Sequence, residues 1–317
     1  MLDHIHIENY RLFKELDIPK VGQVNLITGK NNSGKSTLLE ALRLYGNRDS
    51  FYFFMSAFQY ILTSRGEFSV DPEDAVKSIF YAGNLQNPVV INDLLKFQYN
   101  RDNGGLLTAY IVNSQQEYAL PGHVLSKINS KLDGGVPYIP ASFDSINVQF
   151  WKTIELTDKE DKVVEILQII EPNIERVSVN ESDGTAKIRL KNSPKPLPLK
   201  NFGEGMNRLL TIAMGLVSAE NSMLLIDEIE MGLHHSIQPL LWDIVFQKAR
   251  ELNIQIFATT HSSDCVQAFS FVANKQEYAG LGNYIRLQRS KKDNGIMAVD
   301  YDMEQLENSL DLNLETR

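Results

Sequence analysis

The sequence predicts an α/β fold: a mixed sheet at the core, an antiparallel β subdomain beside it, and an inserted lobe of helices and strands. Three observations carry that expectation. An apolar strand at Val24-Asn25-Leu26-Ile27 runs through the turn Gly29-Lys30-Asn31-Asn32-Ser33-Gly34-Lys35-Ser36-Thr37 into a helix at Leu38–Leu44. From Met206 onward, helix and buried strand alternate (Met206–Glu220, Met223–Ile226, Ile237–Leu252, Ile254–Ala258), the pattern of parallel strands covered by helices. Leu2–Ile7 and Leu12–Ile18 alternate apolar and polar residues around Asn9-Tyr10-Arg11, as an antiparallel hairpin does.

Length and composition bound the rest. A chain of 317 residues with 43% hydrophobic and 22% charged residues can bury one large core or two modest ones. The expected organisation is one composite domain: 1–45 with the glycine-rich loop, 46–135 as the inserted lobe, and 136–317 as the second part of the head. Net charge is −9 and pI about 5.3, against a broadly basic surface that grips a duplex by charge alone. Cys265 is the only cysteine, which excludes a disulfide framework and a cysteine zinc site. No apolar run approaches the roughly 20 residues that span a bilayer, and the start lacks the layout of a signal peptide, so a cytoplasmic protein without a membrane partner is expected.

Within the insertion, Phe51–Tyr60 is densely aromatic but has no interleaved Lys or Arg. A buried helix or a protein–protein surface fits it better than a platform for stacking nucleic-acid bases. Leu95–Tyr99 and Leu107–Val112 flank Arg101-Asp102-Asn103-Gly104-Gly105 as a second hairpin. Asp158–Ile170 has helical spacing and is stopped by Pro172; Ile174–Val179 and Ala186–Leu190 bracket Asp183-Gly184 as a third hairpin. Ser193–Pro198 reads as an extended linker, Tyr284–Leu287 as the last core strand, and Asp300-Tyr301-Asp302 as a solvated strand end.

The loop Gly29–Ser36 fits G-x-x-x-x-G-K-[ST] without mismatch. Its glycines let backbone N–H groups turn towards one anion, and the following helix adds the positive end of its dipole. Gly29, Asn31, Asn32, Ser33, Gly34 and Thr37 are the candidate phosphate cradle; Lys35 would reach the β- and γ-phosphates, and Ser36 would hold Mg2+. Met223–Ile226 is an apolar strand ending in Asp227 and Glu228. Asp227 is the second candidate metal ligand, and Glu228 would polarise the attacking water.

Asn201-Phe202-Gly203-Glu204-Gly205-Met206 precedes the helix that leads to this strand, and here the chain resembles the ATP-binding-cassette ATPases. In that family a glycine-containing signature loop caps the γ-phosphate of the other subunit; the resemblance gives Gly203, Glu204 and Gly205 this role, with Phe202 where a serine is common. It also implies that His261, ending Ile254–Thr260, is the γ-phosphate switch, and that Arg11 sits near the base and ribose. A glutamine linking the two lobes is implied as well, with Gln59, Gln86 and Gln149 all open. Asp227–His235 and Thr259–Ser262 look like the ATPase heads of the overcoming-lysogenization-defect group and its RecF/SMC-like relatives; the C-terminal nuclease domain of some members is not expected here. The implied cofactors are ATP and Mg2+, and the implied assembly is a homodimer formed through its ATP sites. The implied role is control of a separate effector protein, a nuclease or toxin, in antiviral or mobile-element defence. The alternative is a DNA-repair clamp that binds nucleic acid between its heads.

Overall fold

Strands far apart in the chain pair to form the core, and that pairing fixes where the glycine-rich loop ends up. The computed structural model describes residues 1–66, 72–100, 106–112, 114–121, 135–141, 146–191, 193, 195–291, 295–301, 303, 305 and 306. The expected turn at 101–105 and Asp302 lie outside the described residues.

β1 (Ile5–Tyr10) and β2 (Phe13–Ile18) form the expected hairpin, turning at Arg11 and Leu12, and β3 (Val24–Thr28) leads into α1 (Lys35–Gly46). α2 (Phe51–Ser64) and α3 (Pro72–Lys77) come next, followed by β4 (Val89–Ile91), β5 (Leu95–Asn100), β6 (Leu106–Ile111) and β7 (Gln116–Pro121). A two-residue strand, β8 (Tyr138–Ile139), precedes α4 (Ile146–Ile154) and α5 (Asp158–Gln168). β9 (Ile174–Val179), β10 (Ala186–Leu190) and β11 (Leu197–Pro198) form a small antiparallel sheet, so the proline-rich stretch ends as an edge strand. The last part is α6 (Glu204–Ser218), β12 (Met223–Ile226), α7 (Gln238–Glu251), β13 (Gln255–Thr259), α8 (Ser263–Ala273), β14 (Gly282–Arg289) and β15 (Ile296–Tyr301). β15 is a correction to the sequence expectation, which ended the core at Tyr284–Leu287: it pairs antiparallel with β14 from Tyr284↔Tyr301 to Arg289↔Ile296.

The core sheet has the order β15-β14-β3-β13-β12-β8, with β14, β3, β13, β12 and β8 mutually parallel. Every residue of β3, β12 and β13 is buried, as expected of central parallel strands covered on both faces. One apolar core lies between this sheet and α4 to α8. A second fills the space between α1, α2 and an antiparallel sheet of order β2-β1-β4-β5-β6-β7. β1 pairs with β4 through Ile7↔Ile91, which joins the N-terminal hairpin and strands of segment 46–135 in one sheet. β3, β12 and β13 point their carboxyl ends the same way, and the loops that leave those ends form one crevice, the expected place for a ligand in a parallel sheet.

Candidate active site

The glycine-rich loop is held from below. Gly34 caps α1 with φ +97, and a Cβ there would come within 2.7 Å of the Phe13 ring on β2, so this position admits only glycine. No side chain caps α1 and no acid lies in its first turn, so its leading N–H groups stay open to an anion. Lys35 Nζ donates to the carbonyls of Gly29 at 2.7 Å and Lys30 at 3.2 Å, which fixes the ammonium across the loop. Burial lowers its pKa, against the raising influence of Asp227, Glu228 and Glu230. Asn31, Asn32, Ser33, Gly34, Lys35, Ser36 and Thr37 all line a cavity of about 820 Å3 that also meets Asp227, Glu228 and His261. Gly29 lies behind that wall and contributes its carbonyl.

Asp227 and Glu228 follow β12 directly, beside the end of β13. Ser36 Oγ donates to Asp227 Oδ2 at 3.0 Å, and Thr259 Oγ1 donates to Asp227 Oδ1 at 2.5 Å. The same Thr259 hydroxyl accepts from the Glu228 N–H at 2.9 Å. Glu228 has φ +49, a left-handed backbone that costs a non-glycine residue about 1–3 kcal/mol. Its Oε1 lies 3.5 Å from His261 Nε2, and both side chains are about one-third exposed, at 32% and 37%. The His261 N–H donates to Glu230 Oε1 at 3.1 Å, tying the histidine loop to the segment after β12.

Two supports gave no signal in the sequence. Arg208 on α6 is fully buried and donates to Pro140 O at 3.0 Å and to the carbonyls of Asp227 and Glu228, both at 2.8 Å. Burial draws its pKa down to about 10, partly offset by Glu230, Asp227 and Glu228. Tyr138, Pro140 and Ala141 line the cavity because β8 runs beside β12, an adjacency that a two-residue strand cannot announce.

Gly203, Glu204 and Gly205 stand at the start of α6 and do not line this cavity. Gly203 has φ +91 and open space where a side chain would begin, with no atom within 4 Å, whereas a Cβ on Gly205 would lie 3.3 Å from Gly232 O. Arg11 is not brought into the cavity either: it is buried, its Nε 3.2 Å from Glu40 Oε2, and Leu12 takes the place at the wall. None of Gln59, Gln86 and Gln149 lines the cavity; α2 instead presents Tyr60, Ile61 and Ser64, with Arg65 just after it.

Comparison with known proteins adds the family. Residues 98–264, more than half the chain, match the family described as "AAA domain, putative AbiEii toxin, Type IV TA system". The chain belongs to this AAA family. Residues 1–119 match a second description, "AAA ATPase domain". A Helicobacter pylori protein named "ATP/GTP phosphatase" is 22% identical over 88% of this chain and 90% of its own length. An uncharacterized Methanocaldococcus jannaschii protein is 34% identical over 38% of this chain and half of its own. Among solved structures, the SMC head bound to the C-winged helix domain of ScpA superposes with TM-score 0.53 at 13% identity, covering 96% of this chain and 99% of that one. The SMC head domain from Thermotoga maritima gives 0.52 at 11%, covering 95% and 99%. The chain is thus an AAA-type ATPase with the fold of an SMC head.

The residues present suit a nucleotide with a hard divalent cation. Ser36 and Asp227 supply two oxygen donors already in contact, and no group of three or more His, Cys, Asp or Glu among the described residues could cage a metal. Mg2+ typically takes one or two protein oxygens and completes its shell with phosphates and water. No helix among the described residues is long and apolar enough to cross a membrane.

Proposed function

We propose that this ATPase binds ATP with Mg2+ in the cavity and closes head to head on a second copy of itself. One observation carries the reading. The loop Asn31–Thr37, Asp227, Glu228 and His261 share one open cavity, while Gly203–Gly205 lie outside it with open space at Gly203. A helix start suits a γ-phosphate, and these glycines, outside the cavity, are better placed to meet a partner's nucleotide than their own.

In the proposed site, Lys35 and the loop amides hold the phosphates, while Ser36 and Asp227 hold Mg2+, which would neutralise developing charge on the phosphoryl oxygens. Glu228 takes the proton of the attacking water, and His261, 3.5 Å from it, follows the state of the γ-phosphate. Hydrolysis then reopens the dimer, which makes the protein a switch. The output we assign is control of a separate nuclease or toxin in cytoplasmic antiviral or mobile-element defence. The toxin–antitoxin wording of the family description supports that assignment, as does the acidic charge of −9 over the DNA-clamp alternative. We also keep the division into head parts 1–45 and 136–317 and an intervening segment 46–135, the latter as the part that meets the effector.

Glu228→Gln is expected to lower turnover by about 10²–10⁴-fold and to accumulate ATP-bound dimers in size-exclusion chromatography; Lys35→Ala is expected to weaken nucleotide binding itself. Wild-type hydrolysis by Glu228→Gln, or dimers unaffected by ATP, would overturn the reading.

A further inference from the structure

The cavity continues past the metal-holding end of the loop, along the face of α1 that carries Ser36, Glu40 and Arg43. These positions are four and seven residues apart and so stack on one side of the helix. The Arg43 guanidinium carbon lies 4.4 Å from the centre of the Tyr60 ring and 5.0 Å from that of Tyr138. The two rings meet edge to face, at 5.7 Å and 71°, and form a corner around the cation. Arg43 Nε and Nη1 are sealed from solvent and have no hydrogen-bond partner. The carboxylate that acts on its charge, Glu40, is shared: its two oxygens face Arg65 Nε at 2.7 Å and Arg11 Nε at 3.2 Å.

A guanidinium taken out of water without acceptors is costly, and an aromatic corner offsets only part of that cost. Arg43 also lines the cavity, so an oxyanion held there would answer the charge. We propose that Arg43, Tyr60 and Tyr138 form a second oxyanion subsite in the nucleotide cavity, which receives inorganic phosphate after its separation from ADP. Both phenols line the cavity, and burial raises their pKa, so they remain protonated O–H donors at neutral pH. Tyr138 is carried by β8 beside β12 and Tyr60 by α2, so phosphate here would touch both the neighbour of the strand that leads to Asp227 and the segment 46–135. No new bond chemistry is needed: ATP and water give ADP and phosphate, and the subsite holds the second product while the first remains in the loop.

The inference rests on nucleotide binding in this cavity, not on dimerisation. Calorimetric titration of inorganic phosphate into the full chain saturated with ADP and Mg2+ tests it, with titration of ADP alone as the separate check on the nucleotide site. In the wild type, phosphate is expected to bind the ADP complex and to tighten ADP reciprocally. Arg43→Gln should weaken phosphate at least tenfold while ADP affinity without phosphate stays within about twofold, a tenfold change being about 1.4 kcal/mol. Tyr60→Phe, which keeps the ring and removes the donor, should weaken phosphate more modestly, and it serves as the second variant if Arg43→Gln fails to fold. Absence of phosphate binding in the wild-type ADP complex overturns the proposal. So does equal phosphate affinity in Arg43→Gln or, where that variant does not fold, in Tyr60→Phe. Failure of ADP itself to bind would instead overturn the nucleotide assignment.

Discussion

Thr259→Val replaces one buried hydroxyl by a methyl of the same shape, and two links in the site depend on that hydroxyl. Thr259 is fully buried, accepts from the Glu228 N–H at 2.9 Å and donates to Asp227 Oδ1 at 2.5 Å. A hydrogen bond to a charged group contributes about 1.5–3 kcal/mol, and an N–H left without an acceptor costs about 1–3 kcal/mol. Asp227 is only half-buried and keeps its bond from Ser36, and water can reach it, so the sum is discounted to a net loss of about 2–3 kcal/mol. Urea denaturation reads this loss as a lower midpoint at unchanged slope. The Glu228 backbone loses the bond that holds its left-handed conformation, so kcat should fall about tenfold or more, about 1.4 kcal/mol in the barrier. Nucleotide affinity, set by the loop, should change little. Thr259→Ser keeps the hydroxyl and should recover most of both properties. If Thr259→Val lies within about 0.5 kcal/mol of wild type and turns over at the same rate, the bridging role of Thr259 is wrong.

Two further outcomes follow from buried or paired charges. Arg208→Met should destabilise the fold by about 3 kcal/mol or more in denaturant titrations, because three carbonyls lose a charged donor at once. Arg208→Lys should restore only part of this, since one ammonium does not reproduce the planar spread of a guanidinium; a melting curve equal to wild type for Arg208→Met would refute the role. For His6, burial acts to lower the pKa, but the Glu8 hydrogen bond at 3.0 Å and Asp17 at 3.6 Å prevail and raise it above 6.5. A raised folded pKa gives stability that is complete below the unfolded value and is lost as pH rises through the folded one. His6→Gln should therefore remove a small fall in stability just above pH 6.5, and an unchanged pH profile in that variant would count against the pairing.

The sequence made the two ends of the site legible for different reasons. Gly34 must be glycine because Phe13 closes over it, and Asp227 and Glu228 stand out because four buried apolar residues precede them. Such local constraints write themselves into spacing and composition. Arg208 stayed invisible because nothing in the helix Glu204–Ser218 marks which of its polar residues turns inwards, and its acceptors are carbonyls, which have no side-chain signature. Tyr138 was missed because two strand residues carry no period, and Arg11 was placed at the nucleotide because its burial against Glu40 depends on a fold, not a motif. The hairpin β1–β2 was readable from alternation, but its pairing with β4, some eighty residues later, was not.

That long-range pairing gives α2 its place in the argument. One side of this 14-residue helix lines the cavity with Tyr60, Ile61 and Ser64. Another packs into the antiparallel sheet, where the Phe54 and Phe58 rings lie 5.8 and 6.1 Å from that of Phe97 on β5 and Phe54 lies 5.7 Å from Tyr118 on β7. Just beyond its end, Arg65 donates to Glu40 at 2.7 Å and to Thr37 Oγ1 at 3.3 Å, one residue from the proposed metal ligand Ser36. A helix of this length spans about 21 Å and moves as a unit. Close-packed aromatic contacts do not absorb small displacements continuously but repack between discrete arrangements. Static packing thus connects the phosphate end of the cavity to β5 and β7 of segment 46–135, and among the described residues no glutamine lines that cavity.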